Sequence, residues 1–164
     1  MEAIIIIVIV AVVVVLVVVA QLVYLRRNKA MISGGKIIKR DISFQEYAEI
    51  FTLSNADFTI VIPALKSMDI SGTGVSWESK GGTKTVDFKS SHEWAARLTS
   101  LEGDGEKYRY CFQFTEWQTN KGVPWRQDTM NILLTSIEKA FLSIDPNTQV
   151  VTERIKTKSK SSFL

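Results

Sequence analysis

The chain opens on an unbroken apolar run. From Ala3 to Leu25 no residue is charged, and Gln21 alone is strongly polar. A helix of that length, at about 1.5 Å per residue, is roughly 34 Å long, against about 30 Å of bilayer hydrocarbon. It carries no polar stripe, so it does not read as the amphipathic helix of a soluble core. Its Ile and Val content would favour strand in water. In lipid, a helix satisfies every backbone N–H and C=O within one segment. The run is therefore predicted to be a transmembrane helix rather than a cleaved export signal. Met1-Glu2-Ala3 offers no basic side chain, the run is too long, and Val18-Val19-Ala20 is a poor cleavage site. Ala3, Ala11 and Ala20 are too far apart for a small-residue seam, and no ionisable group lies mid-span, so the span is expected to act as an anchor.

Past the anchor the pattern changes. Residues 30–42 read as a tether that bends at Ser33-Gly34-Gly35. Ser43 with Glu46 forms a capping box, and Phe44, Tyr47, Ala48, Ile50, Phe51 and Leu53 recur at helical spacing, which predicts a short helix over 44–53. Phe58–Ile62 is expected to be a buried strand ended by Pro63. Gly81-Gly82 and Gly103-Asp104-Gly105 each separate two strand-like runs and predict hairpins. In the last of these runs Tyr108, Tyr110, Phe112 and Phe114 alternate with Arg109, Cys111, Gln113 and Thr115, the period of a half-buried strand.

An apolar sheet face needs a cover. Met130, Leu133, Leu134, Ile137, Phe141 and Ile144 form a helical stripe that Asp128 can cap and Asp145-Pro146 can stop. Phe112 and Phe114 against Leu134, Ile137 and Phe141 are the expected centre of the core. A final strand lies within 148–157. The fold class is thus α+β: a transmembrane helix, then a two-layer domain with an antiparallel meander sheet covered by one long and one short helix. The chain divides into an anchor (1–25), a basic tether (26–42), a domain (43–158) and a basic tail (159–164).

Charge adds an orientation. Arg26, Arg27, Lys29, Lys36, Lys39 and Arg40 follow the anchor with no intervening acid, whereas Glu2 precedes it. Positive residues stay on the cytoplasmic side, so the N-terminus is expected outside the cell membrane and the domain in the cytosol. The same six residues are candidates for contact with anionic headgroups. Between 41 and 152 the chain holds 10 basic and 15 acidic residues, the reverse of a nucleic-acid-binding module.

Candidate chemistry is sparse. One Cys (Cys111) and one His (His92) leave neither an internal disulfide nor an ordinary zinc site. Cys111 reads as a half-buried strand thiol. Gly72-Thr73-Gly74 fits no phosphate-binding motif and reads as a turn. Glu78, Asp87, Glu93, Glu102 and Glu116 alternate with apolar residues and read as a solvent face. No catalytic residue, metal or cofactor is expected. Trp117, placed by strict alternation opposite Phe112, and Trp125, beside Pro124 and Arg126 in a loop, are the candidate partner contacts. The expected role is a membrane-anchored accessory or scaffold subunit that binds a protein. A ligand pocket between the aromatic sheet face and the Met130–Phe141 helix is the alternative, and an enzyme of unfamiliar type using Arg109, Glu116 or His92 is a more remote one.

Overall fold

The computed structural model describes residues 2–54, 56–91, 93–101, 107–120, 122–155 and 160–161. Helix α1 spans Glu2–Ser33 and is long and apolar enough to cross a membrane. It runs eight residues past the apolar stretch and carries Arg26, Arg27 and Lys29 on its last turns. The predicted bend is the helix stop itself. Gly35 takes a left-handed φ of 66°, and the Lys36 N–H reaches back 2.8 Å to the Met31 carbonyl, closing the helix with the bond pattern that a left-handed glycine permits. The chain forms two units, Met1–Lys39 and Arg40–Leu164.

In the second unit, six strands form one antiparallel path. They are β1 (Tyr47–Ser54), β2 (Val75–Lys80), β3 (Thr85–Ser90), β4 (Trp94–Leu101), β5 (Lys107–Asn120) and, numbered in chain order, β7 (Gln149–Arg154). Their order is β2-β3-β4-β5-β1-β7. Two short strands, β6 (Val123–Pro124) and β8 (Lys160–Ser161), pair with the far end of β5. The hairpin at Gly81-Gly82 joins β2 to β3 as expected; the one at Gly103-Asp104-Gly105 lies outside the described residues.

Cross-strand partners share a face, so the register defines the core. One row is Trp77, Phe88, Ala96 and Phe114; the next is Val86, Leu98, Phe112 and Glu49; a third holds Tyr110 and Phe51. Helices α2 (Phe58–Lys66) and α3 (Gln127–Ile144) contribute Val61, Leu65, Met130, Leu133, Leu134, Ile137 and Phe141 to the same buried cluster. The bounds of α3 match the predicted apolar stripe. The expected core residues Phe112, Phe114, Leu134, Ile137 and Phe141 are all buried in that cluster, and Phe141 also stacks on Phe51 with ring centroids 4.5 Å apart and lies 5.3 Å from Tyr110. The predicted cap differs. Arg126, with a left-handed φ of 56°, precedes the helix, and Asp128 sits in its first turn.

Two expected elements are exchanged. Residues 44–53 form a 3-10 turn (Phe44–Glu46) followed by β1, not a helix. β1 lies between β5 and β7 and is buried on both faces, so its apolar residues run nearly continuously and imitate helical spacing. Phe58–Ile62 is the start of α2, not a strand. Asp57 accepts hydrogen bonds from the Thr59 and Ile60 N–H groups at 2.9 and 3.1 Å, and Val61 and Leu65, four apart, are buried together. Pro63 sits inside this helix, which ends three residues later.

Candidate functional site

Strict alternation fails along β5 at one point. Phe114 pairs with Ala96, but Glu116 pairs with Ala95, so Thr115 is an extra residue in a β-bulge. A bulge shifts the side-chain phase by one. Trp117 therefore returns to the core face, opposite Trp94, and is only 4% exposed. This overturns the expectation that Trp117 faces away from Phe112. The Trp94 indole N–H donates 3.1 Å to Thr129 Oγ1 on α3, which anchors this corner to the helix layer.

Beside the bulge lies a cleft of about 360 Å³ lined by Lys89, Ser91, Glu93, Trp94, Ala95, Glu116, Trp117 and Gln118. Ser91, in the turn between β3 and β4, has a left-handed φ of 36°, costly for a residue with a Cβ. Ser90 Oγ donates to Glu93 Oε2 at 3.1 Å. Backbone bonds continue outward: the Gln118 N–H donates to the Glu93 carbonyl and the Trp125 N–H to the Gln118 carbonyl, both at 2.9 Å. Trp125 is thus held on the backbone beside a cleft residue and is itself 49% exposed; Val123 is exposed too. Arg126 is half-exposed, with its guanidinium 3.8 Å from Asp128. Of the expected partner contacts, Trp125 and Arg126 are on the surface and Trp117 contributes only an edge to the cleft. His92 lies outside the described residues.

A second cluster was not expected. Arg40, the first residue of the folded unit, donates from Nε to Asn131 Oδ1 at 2.9 Å and from Nη1 to Glu49 Oε1 at 3.2 Å, and its Nη2 bonds Glu138. Its side chain is 12% exposed, so it is spent inside the fold rather than on a headgroup. Arg26, Arg27, Lys29 and Lys39 are exposed and Lys36 is half-buried. Burial, reinforced by the Glu138 charge and opposed by Arg40, pushes Glu49 up to about 7, and among the described residues its Oε2 has no hydrogen-bond partner. Alternation along β1 could have placed Glu49 on the core face once that stretch was read as a strand.

Other candidates have local roles. Asp87 accepts from Arg97 Nε at 2.6 Å and Lys80 Nζ at 2.8 Å, and these bonds hold its carboxyl below the usual range. Burial pushes the Cys111 thiol up, which disfavours the thiolate. Gly72 and Gly74 both have left-handed φ, the geometry of a turn. Among the described residues no three His, Cys, Asp or Glu side chains converge to hold a metal. No protein-family model matches the chain, and a search of curated proteins finds no match.

Proposed function

We propose that this chain is a single-pass membrane protein whose cytosolic domain binds another protein as an accessory subunit of a membrane-associated assembly. One observation carries the reading: Trp125 is exposed, and its backbone N–H is bonded to the carbonyl of Gln118, a residue that lines the cleft. A large aromatic group held at the surface loses little entropy on contact, and such residues dominate interface energetics. The anchor supports the reading, since holding a domain at a membrane raises its effective concentration toward partners there. Arg26, Arg27 and Lys29 after the span support the orientation with the N-terminus outside. Together with Lys36 and Lys39 they are the candidate headgroup contacts.

The test is affinity capture of the full-length chain from detergent-solubilised membranes, beside Trp125→Ala. The reading requires a partner recovered at near-physiological salt and reduced with Trp125→Ala. Equal recovery by both forms removes the indole from the interface. A small-molecule reading attaches to the same cleft, whose volume lies at the lower end of ligand pockets. The other expected enclosure, between the sheet and α3, is filled by Phe51, Tyr110 and Phe141.

A further inference from the structure

We propose that β7 is a self-association edge, through which two copies of this chain pair antiparallel with Val151 facing Val151 across a two-fold axis. β7 ends the strand path, and all six of its residues are exposed, Val151 to 54%. The bond from the Ile155 N–H to the Glu46 carbonyl, 2.9 Å, sets the phase of the β1 ladder. In an antiparallel pair, alternate residues direct both backbone groups to the partner. Ile155, Glu153, Val151 and Gln149 therefore face β1, and Val150, Thr152 and Arg154 direct their N–H and C=O groups outward.

Open edges are normally blunted by charged side chains, Pro or a bulge. Gln149–Arg154 has no Pro and its register with β1 is unbroken, and its two charged residues, Glu153 and Arg154, are confined to one end. Among registers of a second copy, one suits the side chains best. A two-fold at Val151 sets Val151 against Val151, Val150 against Thr152 and Gln149 against Glu153. Three β-branched residues then meet β-branched partners, a favourable cross-strand combination, and no like charges face each other. Centring on Glu153 or Arg154 opposes like charges, centring on Thr152 sets both valines against charged residues, and centring on Val150 sets Val151 against Gln149 and Thr152 against a residue outside the strand. So short an edge contact rests on the membrane-anchor reading for its effective concentration.

The experiment uses the full-length chain in membranes, with Cys111→Ser to leave one engineered thiol. Cα atoms of residues opposed without ladder bonds lie about 4.5 Å apart, within the disulfide range of about 4.4–6.8 Å. Val151→Cys is expected to give a disulfide dimer under mild oxidation, and Val123→Cys, exposed elsewhere, a monomer. Adding Thr152→Pro abolishes the dimer without removing a bond to β1, because that N–H points outward. Val151→Lys sets two ammonium groups face to face and gives a monomer by light scattering in detergent, where the parent chain is a dimer. Equal cross-linking at 151 and 123, or none at 151 in carbonate-resistant membranes, overturns the pairing. Release of the chain by carbonate marks failure of the anchor reading instead. The pairing then stands or falls on the same cross-link with the released full-length chain at high concentration.

Discussion

At the scale of single residues, the buried ion cluster offers the sharpest test. Two carboxylates, Glu49 and Glu138, share one guanidinium, Arg40, with Asn131 completing its shell. Both carboxylates ionised leave an excess negative charge at a site with little water. Glu49 therefore holds its proton up to about 7 in the fold, against 4.5 for an ordinary glutamate. A folded state that binds more protons than the unfolded one loses stability as pH rises, here between about 4.5 and 7. Glu49→Gln is expected to flatten the decline between pH 5 and pH 8 and to stabilise the chain at pH 8 by on the order of 1–3 kcal/mol. Thermal melts followed by Trp fluorescence at the two pH values check it, and parallel slopes for mutant and parent would sink it. Arg40→Ala leaves both carboxylates without their cation and should cost about 3–5 kcal/mol, with partial rescue when Glu49→Gln is added.

At the scale of elements, the cap on α2 and the bulge in β5 explain why two pieces of the chain differ from their local pattern. FTIVI has strand composition, yet Asp57 holds the first N–H groups of a helix there. Asp57→Ala should lower the midpoint of chemical denaturation. Its carboxyl is held below 3.8 by the Thr59 and Ile60 bonds, so the contribution is present at neutral pH and fades on acidification through the lowered value. Deleting Thr115 removes the extra residue and leaves Phe114, Glu116 and Trp117 in plain alternation, so Trp117 keeps its place opposite Trp94. The expected result is a cooperative melt with unshifted Trp emission. A red-shifted emission from the deletion variant would show that Thr115 is not the residue that resets the phase.

At the scale of the whole molecule, the predictions concern placement. Carbonate extraction should leave the full-length chain in the membrane pellet, and a C-terminal tag should resist protease on intact cells. Replacing Arg26, Arg27 and Lys29 with Gln removes the charge bias beside the span and is expected to give a mixed orientation, seen as partial cleavage of that tag. Cleavage of the parent chain's tag on intact cells would reverse the proposed topology.

What the sequence determined by itself was everything carried by a long or strictly periodic signal. The α1 run, the stripe of α3, the alternation of Tyr108 to Phe114, the Gly81-Gly82 hairpin and the return of β7 each depend on spacing within one segment. Tertiary structure decided the rest. Whether 44–53 is helix or strand depends on β5 and β7 covering both its sides. The sheet places Glu49 under α3, and one extra residue in β5 sends Trp117 inward. Such features arise where distant segments meet, and the energy of burying or pairing a group there outweighs the weak preferences of its neighbours in sequence.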